Sequence, residues 1–163
     1  MMFVPWRHIA DWKCNACGLC CRAYSVVLNF QEWLKIVKNY GVESTASSLD
    51  KLFIQRKSDG SCAFLHSFYG THLCGLQQTK PKACKLWPFK IVSKPEYGYA
   101  DDAVYSYGEK RLFVYADSAC SGLRYGNPTW EFSNLVLKEF TEIALNLRVG
   151  QHKTTGNINL LEL

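Results

Sequence analysis

Cys14-Asn15-Ala16-Cys17-Gly18-Leu19-Cys20-Cys21 places four cysteines within eight residues, and four more follow singly at Cys62, Cys74, Cys84 and Cys120. A thiolate is a soft, strongly donating ligand, and a C-x-x-C turn brings two sulfurs within reach of one ion. Two such turns share Cys17, and Gly18 lets the backbone fold tightly between them. Metal or iron–sulfur ligation is the chemical reason that best accounts for so dense a run, so all eight cysteines are candidate metal ligands. Adjacent residues such as Cys20 and Cys21 usually project in different directions, which makes both binding one ion awkward. Two centres of four ligands each is the natural division. The intervals of Cys14, Cys17 and Cys20 suit a [4Fe–4S] cluster, since three cysteines so spaced wrap a cubane in bacterial-type ferredoxins. Cys84 is then the expected fourth thiolate, and Zn²⁺ is the alternative cofactor.

An even number of cysteines would also suit a disulfide framework. At 163 residues the chain has core enough not to need staples. Its start, Met1-Met2-Phe3-Val4-Pro5-Trp6-Arg7-His8, lacks the basic region and apolar run of a secretory signal. No stretch approaches the ~18 continuous apolar residues of a membrane span. The expectation is a soluble, cytoplasmic chain that forms one domain and does not engage a membrane. The net charge is +5. Lys80, Lys82, Lys85, Lys90 and Lys94 flank Cys84 with no acid before Glu96. Such a run can meet nucleic acid or an acidic partner. Compensation is the preferred reading, because four thiolates around Zn²⁺ or a [4Fe–4S]²⁺ core leave about two negative charges that ammonium groups would stabilise.

Outward from the cysteine run, Ala23 to Leu28 reads as a short strand. Asn29 then caps a helix through Tyr40, with Glu32 at its third position and Gly41 just past its end. Phe30, Trp33, Leu34, Val37 and Tyr40 are its expected core stripe. Ser44 to Ile54 reads as a second, shorter helix, and Ser58 to Pro95 as loops bearing three cysteines. Ala103–Tyr107 and Arg111–Tyr115 flank Gly108-Glu109-Lys110 as a hairpin. Asn127-Pro128 opens a helix expected to run over about 128–149, burying Phe132, Val136, Phe140, Ile143 and Leu147. The tail ends apolar at Leu160-Leu161-Glu162-Leu163 and either docks or frays. The sum is an α+β chain: a small metal-centred domain over 1–163 with a short hairpin or sheet, two to three helices and long cysteine-bearing loops.

The separated motifs resemble those of the YkgJ-like CxxCxxCC cysteine-cluster family, described as zinc- or iron-chelating domains. Cys14-x-x-Cys17-Gly18-x-Cys20-Cys21-Arg22 matches the family signature, and Cys62-Ala63-Phe64-Leu65 looks like its C-P-F-L element, with Ala63 in place of Pro. Lys80-Pro81-Lys82-Ala83-Cys84-Lys85-Leu86-Trp87-Pro88-Phe89 resembles its R-P-x-x-C-R-x-[FW]-P-F segment. Cys120-x-Gly122 resembles its closing C-x-G, so the resemblance spans 14–122. Two arginines of the pattern are lysines here, which keeps the charge and loses bidentate hydrogen bonding. The resemblance implies a metal-chelating domain, and flagellin lysine N-methylases carry a related one. No Gly-rich strand–turn–helix for a nucleotide is evident.

Three functions follow as expectations. The first is an iron–sulfur protein acting as a redox or accessory module for a modifying enzyme, with a protein partner or substrate. The second is a zinc-stabilised binding module for protein or nucleic acid, nucleic acid not being favoured. The third is an enzyme related to protein lysine N-methylation. His8, His66 and His72 read as surface or supporting histidines rather than ligands. Trp87-Pro88-Phe89 reads as an apolar cover over the site, and Asp101-Asp102 as a solvated turn.

Overall fold

A computed structural model describes residues 2–153; the apolar tail at 160–163 lies outside the described residues. Contacts gather the chain into two units, one of residues up to Asn15 with those from Lys85 onward, the other of Ala16–Cys84. The chain begins with β1 (Phe3–Pro5), a single 3₁₀ turn, and β2 (Ile9–Trp12). The inserted unit then supplies α1 (Leu19–Ala23), β3 (Val27–Leu28), α2 (Phe30–Tyr40), β4 (Thr45–Ser47), β5 (Leu52–Ile54), β6 (Leu65–Phe68) and β7 (Thr71–Cys74). Next come α3 (Lys82–Leu86), β8 (Phe89–Val92), α4 (Ala100–Ala103), β9 (Val104–Tyr107), β10 (Lys110–Asp117) and β11 (Leu123–Tyr125). A π-helical turn over Phe132–Val136 leads into α5 (Leu137–Ala144). The class is α+β, as the sequence predicts. Among the described residues no helix is long and apolar enough to cross a membrane.

In the first unit β10 is the organising strand. It pairs antiparallel with β9 at one end and with β8 and β1 at the other. The expected hairpin is therefore present, its second arm extended to Asp117. One face of this sheet meets the π turn and α5 through Phe89, Val114, Ala116, Phe132, Val136, Leu137 and Phe140, with Trp12 and Ile9 from β2. Phe89 lies 4.7 Å from Phe140 and 5.7 Å from Trp12 by ring centroids, both edge-on. Trp87-Pro88-Phe89 is thus partly core: Pro88 and Phe89 are buried in this unit, and no cover over a metal is needed to explain them.

The last helix is shorter than 128–149. Its cap is Thr129, whose Oγ1 accepts from Phe132 N at 3.2 Å, rather than Asn127. It stops at Ala144 because Asn146 turns left-handed at φ 59°. Asn146 N donates to Ile143 O and Leu147 N to Glu142 O, the paired bonds of a Schellman ending. Leu147, expected in the buried face, is 62% exposed past that stop. Within the π turn the widened ladder is supplemented by side chains: Tyr105 Oη donates to Ser133 O, and Asn134 Nδ2 to Trp130 O.

In the second unit α2 begins as expected. Asn29 accepts from Glu32 N, and the Glu32 carboxylate accepts from Asn29 N. Its core residue is Ile36, fully buried, whereas Phe30 is exposed and stacks on Trp33 at 5.7 Å. The stripe is thus rotated from the expected one. The segment 44–54, expected helical, is instead strands β4 and β5, joined to β3 in the order β3-β5-β4. Ser47-Ser48-Leu49-Asp50 pulls the backbone into a turn closed by Ser48 N to Lys51 O, and Leu52-Phe53-Ile54 suits a strand. The expected loop 58–95 also contains structure, most clearly the β6–β7 hairpin. The core is Leu28, Ile36, Ile54, Cys62, Phe64, Leu65 and Leu76.

Asn146→Val should lower stability by about 1 kcal/mol, because a β-branched residue tolerates φ 59° poorly. Asn146→Gly should cost little. Thermal melting of both variants checks this, with a drop of about 2–4 °C expected for Val alone.

Candidate metal centre

The cysteine run is not one loop. Ala16 (φ 54°) and Gly18 (φ 73°) both adopt left-handed backbone, and Gly18 opens α1, so Cys20 and Cys21 sit on a helical turn. The β7 strand braces the bend, with His72 N donating to Ala16 O at 2.9 Å. A β-carbon on Gly18 would stand 2.7 Å from that of His72, which is why glycine is needed there. Cys17, between the two left-handed residues, is exposed.

The thiols fall into groups. Cys14 and Cys120 belong to the first unit, on segments that run side by side: Lys13 N donates to Gly122 O, and Asn15 Nδ2 to Ser121 Oγ. Trp12 Nε1 donates to the Cys120 sulfur at 3.4 Å. A β-carbon on Gly122 would meet Lys13 O at 2.2 Å, so the closing C-x-G spacing reflects a close backbone approach.

Cys20, Cys21, Cys62, Cys74 and Cys84 belong to the second unit with Cys17. Cys20 and Cys21 Sγ are 3.9 Å apart, contrary to the expectation that neighbours point apart. Cys62 N donates to Cys21 O at 2.7 Å, which brings the α1 turn onto the segment carrying Cys62. Cys62 is buried in the core, while Cys74 and Cys84 are half-buried. Leu76 N donates to the Cys74 sulfur at 3.4 Å, which fixes that side chain against the turn after β7. Lys82 N, at the start of α3, donates to Glu32 Oε1 at 2.7 Å, which ties the Cys84 helix to the start of α2.

These five thiols act on one another. The Cys21 hydrogen bond holds Cys20 down to about 7, and the same bond together with burial pushes Cys21 up. The pair therefore loses one proton easily and the second with difficulty. Burial pushes Cys62 and Cys84 up, and the neighbouring sulfurs add to both shifts. Lys80 opposes them, favouring the charged form of Cys20 and of Cys84, and Arg56 does the same for Cys62. Of the basic run, Lys80 is thus a counter-charge to the thiols. Lys85 belongs to the first unit and donates to Val149 O within it at 3.0 Å.

The histidines have other partners. His72 shares a hydrogen bond with the Ser67 hydroxyl at 2.7 Å and lies beside Arg22, His8 pairs with Asp102 at 3.1 Å, and His66 is exposed. Asp101 is exposed on the first turn of α4, as a solvated turn should be. Arg56, which the sequence alone did not single out, reaches three groups at the end of α1; nothing in its local spacing announces this.

Among the described residues no three His, Cys, Asp or Glu side chains converge at ligand distance from one point. The donor set nevertheless fits a thiophilic ion. Two thiolates bound to one tetrahedral Zn²⁺ stand about 3.8 Å apart, and the Cys20–Cys21 pair already meets that separation. Thiolates bound to different irons of a cubane stand farther apart.

Gly18→Ala and Gly122→Ala should each destabilise the chain by at least about 1 kcal/mol, the first through φ 73° and the His72 contact, the second through Lys13 O. Denaturant unfolding measures both, and an unshifted midpoint for Gly122→Ala would contradict the close approach.

No curated protein and no solved structure matched the chain. A family model did: residues 13–121 match CxxCxxCC, described as a "putative zinc- or iron-chelating domain". That match covers more than half of the sequence and takes in all eight cysteines, so the chain belongs to the CxxCxxCC family of zinc- or iron-chelating domains.

Proposed function

We propose that this protein is a metal-chelating module whose centre is a single zinc or iron ion held by thiolates of Cys20, Cys21, Cys74 and either Cys62 or Cys84. The observation that carries the reading is the 3.9 Å Cys20–Cys21 separation, with Cys62 and Cys74 near enough for their charges to act on Cys21. Zinc there supplies a redox-inert cross-link, and iron adds one-electron exchange. The residues do the rest: backbone N–H groups and Lys80 favour the anionic sulfurs, and Cys62 carries the ligand set into the apolar interior. A module of this kind serves as an accessory to a modifying enzyme or as a binding element for a protein partner.

A [4Fe–4S] cluster on Cys14, Cys17, Cys20 and Cys84 is the second reading. The C-x₂-C-x₂-C intervals favour it, and so does Lys80, which acts on both Cys20 and Cys84.

Anaerobic purification with metal and acid-labile sulfide analysis separates the two. The single-ion reading expects about one zinc or iron per chain and no sulfide. Iron with sulfide in a brown protein supports the cluster, and neither metal defeats both. Cys21→Ser sharpens the test, since it should empty a single-ion centre and leave the cluster set intact.

Chelation should lower the melting temperature by on the order of 10 °C or more, because ion binding at a site assembled from several segments becomes folding free energy. An unchanged melting curve after complete metal removal would refute this.

A further inference from the structure

Arg56 lies just beyond β5, far in sequence from the helical turn that carries Cys20 and Cys21, yet its guanidinium is spent on that turn. Nη1 donates to Tyr24 O at 2.7 Å and reaches Ser25 Oγ at 3.5 Å, while Nη2 donates to Arg22 O. These carbonyls close the C-terminal end of α1, where helical carbonyls lack intrahelical partners. The backbone of Arg56 forms an isolated antiparallel bridge with Cys62. Beside it, Cys62 N donates to Cys21 O and Ala63 N to Gln55 O. One residue therefore holds the Cys20–Cys21 turn by its side chain and the Cys62 segment by its main chain.

We propose that Arg56 is the positioning residue of the thiolate centre: it fixes where the Cys20–Cys21 pair stands relative to Cys62, so that the sulfurs are prearranged before the ion arrives. The inference rests on the metal-chelating reading and deepens it. A planar, two-pronged donor is required, because Arg22 O and Tyr24 O are engaged at once by different nitrogens. A lysine ammonium is a compact point charge on a flexible stem and cannot reproduce that fork. Such a contact acts on the metal through its ligands, and losses of this kind typically weaken binding by about 10–100-fold.

The test uses the full chain, stripped of metal, titrated anaerobically with Co²⁺ against a chromophoric competitor. Wild type, Arg56→Lys, Arg56→Ala and, as a surface control, Arg124→Ala are compared. Cobalt reports affinity and, by its thiolate charge-transfer band, how many sulfurs bind. Arg56→Ala should bind at least about tenfold more weakly with a weaker band per ion, Arg56→Lys should fall between it and wild type, and Arg124→Ala should match wild type. The melting temperatures of the metal-free proteins should differ far less than the affinities. Wild-type affinity and band in Arg56→Ala, or in Arg56→Lys should the alanine variant fail to fold, overturns the proposal. So does failure of both Arg56 variants to fold, which makes the arginine a scaffold residue only. A wild type that binds no cobalt defeats the metal reading itself, a result distinct from these.

Discussion

The hydrogen bond from Cys62 N–H to the Cys21 carbonyl, 2.7 Å long, joins two segments that are distant in sequence and each carry a thiol. The other features of the second unit extend from it. On one side the α1 turn presents Cys20 and Cys21, held at its exit by Arg56 and at its entry by the His72 contact with Ala16. On the other, Cys62 leads into the apolar cluster of Phe64, Leu65 and Leu76, and the chain returns through β7 with Cys74. Bringing thiols from several segments together costs loop-closure entropy and desolvation. Backbone bonds made within the protein offset part of that before any ion contributes.

Charge follows the same logic. Several thiolates in a half-buried space repel, and burial alone drives Cys62 and Cys84 toward their neutral forms. A bound ion would resolve the conflict by replacing protons with a shared positive centre. Lys80 does a smaller part of that work permanently. The lysine-rich stretch around Cys84 looks uniform in sequence, yet Lys80 and Lys82 belong to one unit while Lys85, Lys90 and Lys94 belong to the other.

What was legible followed from strong local chemistry. The capping box at Asn29 and Glu32 and the Gly41 stop place α2 correctly, and the aromatic, β-branched arms around Gly108 place the β9–β10 hairpin. The cysteine pattern points to the family. Signals that depend on tertiary context failed. Tyr69-Gly70 turns the β6–β7 hairpin with Tyr69 at φ 45°, a position where asparagine or glycine would have announced a turn. Asn146 ends the last helix before the more obvious Gly150. Phe30 sits on a helical stripe and still faces outward, because Ile36 sets the buried side. In the candidate centre, the identities of the thiols could be read but their grouping could not. Adjacent Cys20 and Cys21 come within 3.9 Å, and Arg56, whose guanidinium grips the end of their turn, lies far along the chain.

The π turn over Phe132–Val136 fits one more residue into a helical turn than the α form would, with Leu137 N reaching back to Phe132 O. Every residue after it is therefore rotated by about 100° from where an uninterrupted α-helix would place it. The surplus residue is absorbed inside the turn, so Phe132 and Val136 in it and Phe140 beyond it stay in one apolar cluster, and Ile143 is buried. For the evolution of this chain the consequence is an asymmetry between kinds of mutation. Replacing Phe132 or Val136 takes a side chain out of the core, whereas deleting one polar residue of the turn would leave a plain α-helix whose later residues keep their facing. The bulge thus works as a phase-keeping device that takes up one surplus residue, and its two core positions are under tighter constraint than its length.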